Sequence, residues 1–194
     1  MEYVRLGKSN LMISRVAFGA MSLTKVGDDE KAAELVRSAY NQGINFFDTS
    51  RNTPECEKLL GDALGDIRSS VVIASKTSAQ SGAEVLSDLE TSLNVMHTDS
   101  IDLYQYESDS FIPDENGIDG IYSAFKTLKS TGKIRSFGLA TTDFDIAEKA
   151  ITGGLYDTIQ FPFSMISSVR TRQLVQLCRE NDIGFIAMQP LCGG

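Results

Sequence analysis

The sequence predicts an α/β fold: a parallel (β/α) barrel of the TIM type with about seven strand–helix units, lacking the last βα unit, behind an N-terminal β-hairpin. Three observations predict it. Short apolar runs of strand length alternate with longer stretches of helical period along the whole chain. Those runs are nearly continuous in apolar residues, as strands buried on both faces require. The first barrel strand leads into Gly19-Ala20-Met21-Ser22 rather than the glycine-rich phosphate turn of an open doubly wound sheet.

Each element follows from local chemistry. YVRLGKSNLMI reads as a hairpin turning at Gly7-Lys8-Ser9-Asn10, placed to cover the bottom of a barrel. Val16–Ala20 is the first barrel strand, and Asp28–Gln42 is an amphipathic helix stopped by Gly43. Ile44–Thr49, Val71–Lys76, Ile101–Tyr106, Ile134–Ala140, Thr158–Phe161 and Phe185–Met188 are the remaining strands. Helices are expected over Glu55–Leu64, from Ser81 to about Val95, over Ile118–Ser130, Asp143–Thr152 and Ser168–Asn181. Ser81 and Glu84 form the capping-box pattern of the second of these stretches. Residues 1–194 are expected to form a single domain. A closed barrel needs eight strands, so the two end strands are expected to carry unpaired edges, covered by a homo-oligomer.

Composition narrows the function. Of 194 residues, 42% are apolar and 23% charged, with a net charge of −8. Scattered cations on an acidic chain argue against nucleic acid or an anionic membrane surface as partner. There is no apolar run long enough for a membrane span and no secretory leader, so a cytoplasmic location is expected. Cys56, Cys178 and Cys192 have no metal-ligand spacing, so neither a metal site nor a disulfide is expected. Cys178 reads as packing, Cys56 as a loop residue near the site, and the lone His97 as a surface residue near a helix end.

In barrels the chemistry sits at the C-terminal ends of the strands. Those positions hold Asp48, Lys76, Glu107, Thr141 and Gln160. Seven segments in register then resemble the aldo-keto reductase family from Leu6 to Gly194: LGKSNLMISRVAFGAM, INFFDTS, ECEKLLGDAL, VVIASK, DSIDLYQYE, GKIRSFGLAT and GFIAMQPLCGG. The resemblance implies a barrel enzyme that reduces carbonyls with NADPH. It implies an aspartate and a lysine, here Asp48 and Lys76, that tune a proton-donating tyrosine, and a histidine that orients the carbonyl. The tyrosine position is Thr53 and the histidine position Glu107. One branch of the family, which reduces steroid double bonds, also has glutamate there but keeps the tyrosine. For the nicotinamide, the resemblance assigns Gln160 to the carboxamide, Ala140-Thr141 to the family's Ser-Asn pair, and Met188 to the stacking aromatic.

A threonine hydroxyl has no accessible pKa, so Thr53 cannot replace the tyrosine as an acid. Glu107 would donate a proton if burial beside Tyr104 or Tyr106 raised its pKa, although Tyr106 itself should point to the opposite face. The favoured expectation is a repurposed enzyme performing cofactor-independent proton transfer on a small molecule, of dehydratase, isomerase or lyase type, at Lys76, Asp48 and Glu107, with no cofactor. One alternative is an NADP(H)-dependent oxidoreductase with weakened cofactor binding and Glu107 as acid. Another is a non-catalytic regulatory or binding barrel. Asp48 and Lys76 also admit a purely structural reading as an ion pair at the barrel mouth.

Overall fold

In a computed structural model that describes residues 1–192, the chain opens with the expected hairpin, β1 (Tyr3–Arg5) against β2 (Met12–Ser14). Its turn is a single 3-10 turn over Gly7–Ser9. Gly7 is required there: its φ is +51°, and a Cβ would lie 2.1 Å from the Gly184 nitrogen.

Seven parallel strands follow: β3 (Phe18–Gly19), β4 (Phe46–Asp48), β5 (Val72–Thr77), β6 (Ile101–Glu107), β7 (Ile134–Ala140), β8 (Thr158–Pro162) and β9 (Gly184–Met188). They pair strictly in chain order. Between them run α1 (Asp29–Asn41), α2 (Pro54–Leu64), α3 (Gly82–Val95), α4 (Ile121–Ser130), α5 (Phe144–Gly153) and α6 (Val169–Glu180). Each helix end has a local cause. Asp28, Ser81, Asp143 and Ser168 accept a hydrogen bond from the backbone three residues on. Ser81 supplies its half of the expected capping box, while the Glu84 carboxylate accepts from the Gln80 amide at 2.7 Å rather than from that of Ser81.

The sheet curls. In a flat sheet β4 and β8 would lie about 19 Å apart, four strand spacings. Instead the Gln160 amide on β8 stands 3.2 Å from the Asp48 carboxylate on β4. Among the described residues β3 and β9 pair with one neighbour each, so both ends of the sheet are edges. The hairpin bridges them from below. The Lys8 amide donates to the Asp182 carbonyl before β9 at 2.7 Å, and Ser14 exchanges two hydrogen bonds with Asn45 before β4. Leu6, Leu11 and Ile13 of the hairpin pack with Phe46, Val72, Ala74, Leu103 and Ile186, filling the lower barrel.

Strand alternation sorts the rest. Phe47, Ile73, Tyr104, Tyr106, Phe137, Leu139, Ile159 and Phe161 join the core between sheet and helices. Phe163 lies beyond β8, half-buried, edge-on to Phe185 at 5.7 Å. Two expectations change. The first barrel strand shrinks to the two residues that pair with β4, and Val16 is exposed. Cys56 is on α2, not in a loop, and is buried with its sulfur 3.8 Å from the Thr24 hydroxyl.

Candidate active site at the barrel mouth

The upper end of the barrel gathers the polar residues of β4, β5, β6 and β8. Asp48 pairs in register with Ala74, so Lys76 stands on the same face one step higher. The Lys76 Nζ lies 2.7 Å from both Asp48 oxygens and 2.8 Å from the Thr49 carbonyl. The lysine is 1% exposed. The ammonium is thus held from two directions, by the Asp48 carboxylate and by the Thr49 carbonyl.

Gln160 extends the pair. Its Nε2 donates to Asp48 Oδ2, and its Oε1 accepts from Gln105, both buried. A primary amide has two N–H groups and two lone pairs. Gln160 therefore keeps one donor and one acceptor for a ligand. Thr141, at the next strand end, is tied to the loop after it: its hydroxyl donates to Asp109 at 2.7 Å and accepts from the Asp143 amide at 3.1 Å. Burial acts to raise the Asp109 pKa, but the hydrogen bonds from Thr142 and Thr141 outweigh it and hold the carboxyl below its ordinary value. Met188 ends β9, half-buried beside β8.

Thr53 and Glu107 lie on the rim. Thr53 occupies the N-cap position of α2, before Pro54, and its hydroxyl donates to the Ser50 carbonyl at 3.1 Å rather than to the lysine. Glu107 is half-buried, and its Oε2 accepts from the Asn52 amide at 3.2 Å. Tyr104 and Tyr106 do not bury it; both face the helices, where burial pushes the Tyr106 phenol up to about 12. His97 is an exposed residue of the lower end, 3.9 Å from Asp62.

Sequence reasoning missed the groups behind this rim: Asn52, the Arg51–Glu57 pair, and Gln105. One signal was available. Glu57 stands three and seven residues before Leu60 and Leu64, squarely on the apolar face of α2. A charge in that phase marks a buried partner. The two open clefts, about 420 Å³ beside Lys129 and Tyr122 and about 500 Å³ beside Arg68 and Arg135, are both away from this mouth.

The family model described as "Aldo/keto reductase family" matches residues 15–194. The chain is 28% identical over 204 residues to an uncharacterized oxidoreductase, YqkF, of Bacillus subtilis, covering 98% of this chain and 65% of the relative. It is 26% identical over 220 residues to the NADH-specific methylglyoxal reductase of Escherichia coli, covering 98% of this chain and 68% of that protein. An aldo-keto reductase structure from Bacillus halodurans superposes with a TM-score of 0.89 at 27% identity, covering all of this chain and 68% of that one. The chain spans 65%, 63% and 60% of the length of three curated relatives.

These matches overturn the expectation of a cofactor-independent lyase or isomerase, and with it the expectation that no cofactor is used. In the structure Lys76 is 1% exposed and its Nζ is held by Asp48 and the Thr49 carbonyl, so it is one half of a buried pair rather than a group open to a substrate. With the landmark segments in order along seven curled strands and a family model matched over nearly the whole chain, this protein belongs to the aldo/keto reductase family.

Proposed function

We propose that the protein is an NADH- or NADPH-dependent oxidoreductase that reduces a small carbonyl compound at the mouth formed by Asp48, Lys76, Gln160 and Glu107. The observation that carries this reading is Gln160, buried at a strand end with one donor and one acceptor unused. That pair of functions is the complement of a carboxamide such as nicotinamide carries. Met188 offers an apolar side chain beside it. The Thr141 hydroxyl spends its one donor on Asp109 and so holds the neighbouring loop. When bound, the nicotinamide supplies the hydride.

The chain's own residues do the rest. Asp48 takes hydrogen bonds from both Lys76 and Gln160, so the buried pair orients the glutamine amide. Glu107 is the rim carboxyl that meets the substrate, since the Thr53 hydroxyl is turned to Ser50. The Asn52 amide fixes one oxygen of Glu107 and leaves the other for the substrate. The E. coli relative is named a methylglyoxal reductase, which makes a 2-oxoaldehyde the first substrate to assay. The same reading takes residues 1–194 as one barrel unit in the cytoplasm. No helix among the described residues is long and apolar enough to cross a membrane.

Fluorescence titration with NADH and NADPH tests the reading, and saturable binding of one of them is expected. The Glu107→Gln variant should then bind cofactor within twofold of wild type while kcat falls by about 10²-fold or more. Absence of binding of either nucleotide at millimolar concentration would sink it. Binding with no turnover of any aldehyde or ketone would favour a regulatory barrel.

A further inference from the structure

The loop from Thr49 to Thr53 carries Asn52 to the rim, and β5 grips it on both faces. On the barrel side, Lys76 holds the Thr49 carbonyl at 2.8 Å. On the helix side, the guanidinium of Arg51 donates to Glu57, which is fully buried. Glu57 Oε1 also accepts the hydroxyls of Ser75 on β5 at 2.7 Å and Ser92 on α3 at 2.8 Å. Ser75 and Lys76 are consecutive, so their side chains leave β5 on opposite faces. Between the two anchors, the Arg51 amide donates to the Lys76 carbonyl at 2.9 Å. What the grip presents is Asn52, its Nδ2 3.2 Å from Glu107 and its Oδ1 3.5 Å from the Ser78 hydroxyl.

A leucine at position 57 would fill this apolar face at lower cost than a carboxylate, because buried ion pairs seldom improve on hydrophobic packing. The carboxylate does something a leucine cannot. Once Glu57 is buried, the loop cannot lift away without stranding its charge. Helix α2, seated in the core by Leu60 and Leu64, therefore holds the rim loop through one guanidinium.

We propose that Arg51, held by Glu57, is a positioning residue that sets Asn52 against Glu107 and so fixes the carboxyl group that meets the substrate. The part concerning Glu107 rests on the function proposed above; the ordering of the loop does not.

Two variants test it. Arg51→Met/Glu57→Gln removes both charges without stranding one, and Arg51→Lys keeps a cation able to reach Glu57. Hydrogen exchange of the amides in residues 50–53 is compared with that of β5 and β6, alongside kcat, KM and the dissociation constant for NADH. In the double variant the loop amides should exchange at least tenfold faster with β5 and β6 unchanged. Its kcat should fall at least tenfold, with KM and NADH affinity within twofold. Arg51→Lys should restore both readouts to within threefold of wild type. Unchanged loop protection overturns the proposal, as does protection lost equally across β5 and β6. A loosened loop with unaltered kcat removes the positioning role. If the wild type turns over no substrate, the proposed function fails, while the exchange data still decide whether the pair orders the loop.

Discussion

At the scale of single residues, buried charge sets the sensitivities. Lys76 and Asp48 neutralise each other in a site closed to solvent. Lys76→Met leaves an uncompensated buried carboxylate and should cost about 3–5 kcal/mol in urea unfolding. Adding Asp48→Asn should recover much of that loss, and no recovery would mean the pair is not the source of the cost. Glu57 behaves in the opposite way from a surface acid. Burial raises its pKa, against the lowering effect of the Ser75 and Ser92 hydroxyls and of Arg51. The folded state therefore holds this proton more tightly than the unfolded chain. The stability linked to it is fully present below the unfolded value of about 4.3. It is lost as pH rises through the folded pKa. Subtracting the stability–pH curve of Glu57→Gln from that of wild type should show this decline, and a flat difference would contradict it.

At the scale of elements, the legible parts were those with local signals. The strand Ile134–Ala140 and the Ser81 cap of α3 stand where the sequence places them. Ser81 works through its own neighbour three residues on, so no distant contact is needed to read it. By contrast α4 begins at Ile121 rather than Ile118, because Gly120 at φ +71° starts the helix and Ile118 is fully exposed. Apolar spacing alone does not reveal that a residue faces water. Close strand approach is equally silent in sequence. Gly138 on β7 has no room for a side chain, since a Cβ would sit 2.0 Å from the Thr158 hydroxyl. Gly138→Ala should lower stability by about 1–3 kcal/mol through forced displacement of β8, read as a lower thermal midpoint with Gly138→Ala/Thr158→Ala partly restored. Asn45 exchanges bonds with Ser14 and donates to the Met12 carbonyl. Asn45→Ala should therefore loosen the hairpin, seen as faster exchange of the Ser14 amide.

At the scale of the whole molecule, the hairpin and the curl of the sheet make one enclosure that, among the described residues, has two edges, β3 and β9. Near the β9 edge Met165, Ile166, Val169 and Leu191 are exposed. Unpaired strand edges beside apolar surface favour association. A homo-oligomer is the proposed state, and light scattering that returns the mass of a single chain, 21.2 kDa, would refute it. The sequence by itself determined the family, the βα order and where each strand runs to within a residue or two at its upper end, because those depend on period and spacing along the chain. Only the tertiary structure decided what the residues do there. The curl brings β4 within hydrogen-bonding distance of β8, and strand parity turns Tyr106 away from Glu107. Packing of α2 and α3 on β5 buries Glu57 beneath the rim loop. These are relations between segments distant in the chain, and side-chain chemistry is set by the neighbours that folding supplies.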